Sequence, residues 1–212
     1  METLLIDALM EPIETASRTA ADILGEGGLV AVPTETVYGL AAVGTSAEAV
    51  DEIYRVKRRP AEKPISLLVS GTEAFFLCEG VPKVAYSLAE RFWPGPLTIV
   101  LNRTRYVPDI VAAGGPTVGL RCPKHPVTLE IIKAVGKPLA APSANISGEP
   151  SPKSAREVIK ALGGKIEAVV DGGPCELGVE STIVDLTGLV PKILRQGGIS
   201  AEDIAGVIGD II

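Results

Sequence analysis

The sequence predicts an α/β fold: a twisted, open, mixed sheet flanked by helices. Two observations carry this. Short apolar runs bounded by Gly and Pro alternate with helical periodicity from one end of the chain to the other. The 212 residues are 46% hydrophobic but only 4% aromatic, enough for a large core packed mostly from aliphatic side chains. No internal repeat, low-complexity segment or linker divides the chain, so a single domain over residues 1–212 is expected.

The elements follow in order. Residues 15–26 read as a helix, with Ala16, Ala20, Ile23 and Leu24 on one face and Gly27-Gly28 as the stop. Leu29-Val30-Ala31-Val32 reads as a buried strand, because Pro33 biases Val32 towards extended geometry. Thr45-Ser46-Ala47-Glu48 has the capping-box pattern and opens a helix through Val50, Ile53 and Tyr54. A strand at 65–69 and a helix near 82–92 come next, Pro82 suiting the first turn. Trp93-Pro94-Gly95-Pro96 then breaks the chain before a strand at 97–101. Strands at 117–121 and 138–141 bracket a helix at 127–135. Ser151-Pro152 signals a helix start, followed by Ala155, Val158, Ile159 and Leu162 on one face. Strands at 168–171, 182–186 and 192–194 precede a last helix opened by Ser200-Ala201-Glu202-Asp203. Strand order cannot be read from this pattern.

Composition excludes several functions. The formal net charge of -6 and pI near 5.0 argue against a broad nucleic-acid surface, though not against a focused basic pocket. Cys78, Cys122 and Cys175 are odd in number and form no CxxC pair, so reduced thiols in a cytoplasmic protein are expected. The N-terminus lacks the basic and apolar regions of a signal peptide, and no apolar run reaches the roughly 18 residues needed to span a bilayer. One histidine, His125, cannot build a multi-histidine metal site, and its place between Lys124 and Pro126 suggests a surface loop. Walker A, GxGxxG and GxSxG patterns are absent.

What remains is a set of strand ends. Residues 55–64 hold five of the 20 cations, Arg55, Lys57, Arg58, Arg59 and Lys63, in a chain of negative net charge. A helix C-terminus favours one or two cations through its dipole, but not five. The simplest reason for the rest is an anion held there, a phosphate chain, with a solvated helix end as the alternative. Pro33-Thr34-Glu35-Thr36 offers two hydroxyls and a carboxylate where a strand leaves the sheet. Ser143 and Asn145 follow another apolar strand. Arg121 and Arg195 each end a strand, inviting anion binding or a surface salt bridge.

PTETVYGL, KRRPxxKP, WPGPLTIVL, VGLRCPKHP, PSANISG, ESTIVDL and ILRQG occur in this order between about Gly28 and Gly198. In this the chain resembles the YrdC-like proteins, the threonylcarbamoyl-AMP synthases. The resemblance implies a twisted open α/β sheet around a deep, concave, basic cavity. It implies that L-threonine, bicarbonate or CO2, and ATP give L-threonylcarbamoyl-adenylate and pyrophosphate. A separate transferase complex then modifies the adenosine beside the tRNA anticodon, so contact with tRNA itself is expected to be indirect or weak. Thr34, Thr36, Arg121, Ala141 and Ser181 would form the threonine site, with Arg121 on the carboxylate. Arg59, Lys63, Thr117, Ser143, Asn145, Ser151 and Arg195 would serve ATP, Asn145 by supporting its loop. Lys57 and Arg59 would act on the leaving group. Mg²⁺ would come with ATP, held mainly by phosphate and water, and no organic cofactor is implied.

Two departures stand out. Some relatives carry histidine in the threonine site where this chain has Leu68. Relatives with a second, C-terminal domain use its linker to cover the ATP site, whereas this sequence ends at Ile212, so either a more open cavity or closure by a loop such as 172–179 is the expectation. YrdC-like modules also occur in hydrogenase-maturation carbamoyltransferases, whose zinc-finger-like cysteine sets and acylphosphatase-like region are missing here. A substrate-shifted paralogue, or an RNA-binding module without synthase activity, are the other readings.

Overall fold

A computed structural model describes residues 2–209 and 211–212. Ten strands form one mixed sheet: β1 (Leu4–Asp7), β2 (Val30–Val32), β3 (Gly39–Val43), β4 (Leu67–Leu68), β5 (Leu97–Asn102), β6 (Thr117–Arg121), β7 (Leu139–Ala140), β8 (Ala168–Asp171), β9 (Thr182–Asp185) and β10 (Lys192–Arg195). Their spatial order is β1-β8-β2-β3-β7-β4-β6-β5-β9-β10, with parallel and antiparallel pairs interspersed. The helices are α1 (Ile13–Gly25), α2 (Ala47–Lys57), α3 (Lys83–Phe92), α4 (Pro126–Val135), α5 (Ala155–Leu162) and α6 (Ala201–Ile208), with a 3-10 turn at Thr72–Leu77.

Two strands escaped the sequence reading. β1 leaves Leu4 and Leu5 exposed and is held as an edge strand by parallel pairing with β8. β3, assigned to no element above, is Gly-Leu-Ala-Ala-Val: small residues that strand propensity does not favour, ordered by antiparallel pairing to β2 and β7. Two helix starts shift. Pro82 is the residue before α3, and the N-cap of α5 is Ser154, whose hydroxyl accepts from the Glu157 N–H, instead of Ser151. Ser46 and Ser200 cap α2 and α6 through the Ala49 and Asp203 N–H groups.

The two sheet faces differ. One carries Leu40, Ala42, Leu67, Ile99, Leu120, Ala140 and Val184, all buried in a cluster with side chains of α2, α3, α5 and α6. The other is covered only in part: Val30, Val32, Ala41, Val43, Leu68 and Leu139 pack against α1 and α4. Beyond Leu68, on β4, β6, β5 and β9, a cavity opens whose lining comes from strands and loops, with no helical residue among the described ones. Among the described residues no helix is long and apolar enough to cross a membrane.

Candidate active site

The cavity floor is built from small residues. Gly39, Ala141 and Ser66 line the uncovered face and leave about 190 Å³ of space, with Gly119 behind Ser66 on the same face of β6 as Arg121. At Gly119 a Cβ would lie 2.9 Å from Ser66 Oγ and 3.0 Å from the Thr98 methyl, so the floor is already closed under the ligand space.

Arg121 ends β6 and is 8% exposed. Its Nη2 donates to Thr36 Oγ1 at 2.8 Å and pairs with Glu35 Oε1 at 2.9 Å, while Nε makes a long contact of 3.4 Å to the Gly95 carbonyl. Nη1 has no acceptor among the described residues, and the side chain lines the cavity. Burial lowers the guanidinium pKa and the Glu35 charge opposes this, so Arg121 stays cationic. Thr34 Oγ1 is the hub of the β2–β3 connection: it lies 2.8 Å from Thr36 Oγ1 and takes part in bonds with the Val37 carbonyl and the N–H groups of residues 36 and 37.

Across the cavity, Ser181 Oγ lies 2.8 Å from Thr98 Oγ1 and accepts from Arg195 Nη2 at 3.1 Å. Arg195 Nε donates to the Ser181 carbonyl at 3.0 Å, and its Nη1 is engaged by Glu180. Arg59 donates to the Lys63 and Pro64 carbonyls at 3.1 and 2.7 Å and lines the opposite wall. Three arginines thus face the cavity against one lining carboxylate, Glu180.

The structure therefore brings Thr34, Thr36, Arg59, Arg121, Ala141, Ser143, Ser181 and Arg195 to one cavity, with Leu68 on its wall. It does not bring Lys57 there. The Lys57 side chain is 1% exposed, and its ammonium donates to the carbonyls of Ser143 and Asn145 and, at 3.4 Å, to Asn145 Oδ1. The Ser147 N–H returns a bond of 2.9 Å to the Lys57 carbonyl, so the end of α2 and the 143–147 loop are stapled both ways. Lys57 holds the loop; the expected place on a cationic wall is corrected. Asn145 is buried and ties the same loop through the Ile146 and Glu149 carbonyls. Ser151 reaches the site only through Glu180, at 3.0 Å. Lys63 is exposed outside the lining, and Thr117 lies at the far end of β6 on the face of Gly119 and Arg121.

Sequence reasoning missed Thr98, Ser66 and Glu180. Thr98 and Ser66 are polar residues inside apolar strands, a signal that was available; Glu180 stands beside Ser181 in the same motif. His125 is half-buried beside Gly172, with Nδ1 unpartnered and its pKa lowered by burial, so the surface-loop expectation is also corrected. Among the described residues no three histidine, cysteine, aspartate or glutamate side chains gather at one point. Glu35 and Glu180 are each engaged by an arginine.

The Sua5/YciO/YrdC family model, described as telomere recombination, matches residues 22–197. The chain belongs to this family. Within it, a Pyrococcus abyssi protein named threonylcarbamoyl-AMP synthase is 46% identical over 210 residues, covering 99% of this chain and 62% of that one. A Bacillus subtilis protein of the same name is 44% identical over 194 residues, covering 91% and 56%. The structure of P. abyssi Sua5 complexed with L-threonine superposes with a TM-score of 0.94 at 44% identity, covering all of this chain and 63% of that one. The chain thus spans about three-fifths of the length of these family members.

Proposed function

We propose that this family member is a threonylcarbamoyl-AMP synthase, joining L-threonine, bicarbonate or CO2, and ATP into L-threonylcarbamoyl-adenylate with release of pyrophosphate. The observation that carries the proposal is the buried Arg121, which lines a small cavity together with the hydroxyls of Thr34, Thr36, Thr98 and Ser181. The names of its relatives and the threonine held by P. abyssi Sua5 support it.

In this reading the carboxylate takes Nη1 of Arg121, a charge-assisted bond in a site shielded from water. The Thr34–Thr36 and Thr98–Ser181 hydroxyl pairs flank the bound amino acid, and Leu68 and Ala141 receive its apolar side. Ser143, Arg59 and Arg195 face the triphosphate. Lys63 and Thr117 lie towards the same outer end, and Ser151 acts through Glu180 and Arg195. The neutral amine adds to CO2 and loses a proton to solvent, an oxygen of the resulting carbamate attacks the α-phosphorus, and the bond to pyrophosphate breaks as it leaves. Fixed arginines that meet this growing negative charge without reorganising supply the catalysis, together with alignment of the two substrates. Mg²⁺ belongs to the proposal as the nucleotide's own counter-ion, held by phosphate oxygens and water. A cytoplasmic location and hand-over of the adenylate to a tRNA-modifying transferase complete it.

The test is pyrophosphate release from Mg-ATP with L-threonine, L-serine or no amino acid, with and without bicarbonate. Release is expected only when threonine and bicarbonate are both present, and Arg59→Ala should lower it at least tenfold. Folded protein that releases none under any condition overturns the proposal.

A further inference from the structure

Between β2 and β3 the chain bends at residues 35–37, with Thr34 Oγ1 accepting the N–H groups of residues 36 and 37; Thr34 and Thr36 line the cavity, and Glu35 between them does not. Glu35 is nevertheless 4% exposed, a carboxylate placed where burial needs a reason. Its Oε1 pairs with Nη2 of Arg121 at 2.9 Å, and its Oε2 accepts the Lys124 N–H at 3.0 Å. Its backbone carbonyl accepts the Leu177 N–H at 2.8 Å, which seats the 172–179 loop on the same residue. Tyr38, three residues on, donates to the Gly173 carbonyl of that loop at 2.7 Å. Glu35 is therefore fixed on three sides: the end of β6, the turn into α4 and the loop.

We infer that Glu35 is the positioning residue of the amino-acid site: by its ion pair with Nη2, which also donates to Thr36, it holds the Arg121 guanidinium so that Nη1 is left for the substrate carboxylate. The inference rests on the threonine reading above and adds to it a residue that never touches substrate. A guanidinium fixed at one edge offers its opposite edge in one orientation, and a carboxylate can then bind without first ordering the side chain. With its charge compensated by Glu35, Arg121 can stay buried and cationic before any ligand arrives. The effect belongs to the amino-acid end, because Arg59 and Arg195, which face the nucleotide, are held by other partners: the Lys63 and Pro64 carbonyls, and Glu180 with Ser181.

The experiment measures L-threonine and ATP binding separately by calorimetry, with thermal melting as a check on folding, for wild type, Glu35→Gln, Glu35→Asp, Arg121→Ala and Glu35→Gln/Arg121→Ala. The expected result is a rise of at least tenfold in the threonine Kd for E35Q, an intermediate rise for E35D, and ATP binding within twofold of wild type. Adding E35Q to R121A should cost no further threonine affinity, since the residue acts through that arginine. Equal losses for threonine and ATP, a wild-type threonine Kd in E35Q, or additive losses in the double variant each overturn the inference. If E35Q does not fold, E35D decides by the same criterion: a threonine-only loss supports it and an equal loss overturns it. Wild type that binds no threonine sinks the proposed function, and this inference with it. Wild type that binds threonine while E35Q does so equally well sinks the inference alone.

Discussion

At the end of α2 a lysine ammonium lies in the protein interior, bonded to backbone carbonyls and to the Asn145 side chain but to no carboxylate. From sequence, Lys57 and Arg59 look alike, two cations at one helix terminus. The helix separates them: Lys57 is its last residue and points inward, Arg58 takes a left-handed conformation (φ 51°), and Arg59 emerges on the cavity. Burial, and then the nearby Arg59 charge, pull the Lys57 pKa from its usual value near 10.5 down to about 7. Between about pH 7 and 10.5 the unfolded chain therefore binds a proton that the folded one sheds, and stability from this group rises with pH across that window. Compared with Lys57→Met, wild type should gain in denaturant midpoint between pH 7 and pH 10. A constant difference across the window would mean that the carbonyl acceptors keep the lysine charged in the folded state as well.

Elements were legible where one residue decides the backbone. Ser200 announces α6, and the 45–48 capping-box pattern finds α2, although the residue that caps it is Ser46, one position later than the pattern places it. They were not legible where neighbours decide it: β3 is a strand because β2 and β7 pair with it, and α5 starts at Ser154 because the Ser151 hydroxyl bonds Glu180 instead of an N–H of its own helix. The β9–β10 hairpin shows the same division. Its arginine and serine could be read as candidates, but the lock that aligns them could not. Thr182 Oγ1 donates to the Ile199 carbonyl at 2.7 Å and accepts the Gly197 and Ile199 N–H groups at 3.0 Å each. Position 197 passes so close to β9 that a Cβ would fall 2.3 to 2.5 Å from backbone atoms of residues 180–182. Gly197→Ala must push this turn away, and Thr182→Val strands the buried Ile199 N–H and the partly buried Gly197 N–H. Each should cost about 2–3 kcal/mol in stability. Each should also weaken ligand binding, because the turn follows Arg195 and packs on the backbone of Glu180 and Ser181, all three of which line the cavity. Calorimetry and urea unfolding check both; an unchanged midpoint for both variants would remove the lock from the account.

At the scale of the molecule, the site exists because one sheet face is only partly roofed. α1 and α4 cover it as far as Leu68, and the strands beyond carry glycine, alanine, serine and threonine where a covered face would carry leucine or valine. A hollow of this kind is invisible in a linear pattern: Gly119 and Ser66 read as weak strand positions until β4 and β6 pair and place them side by side. The space is thus maintained by missing side-chain volume and should be removable by adding some. Ala141 is the place to add it. It is half-buried on the lining, and the open space in front of it is bounded by Leu68 and Gly39. Ala141→Leu would project an isobutyl group into the cavity against these apolar neighbours. In the ligand-free protein this displaces solvent and buries apolar surface, so the melting temperature should hold or rise. In the complex, threonine would have to displace the new side chain or overpack against it, at about 2–3 kcal/mol, on the order of a hundredfold in Kd. A variant that melts like wild type but binds threonine a hundredfold more weakly would locate the amino acid over Ala141. Unchanged threonine affinity would move it elsewhere in the cavity, away from the Leu68 wall.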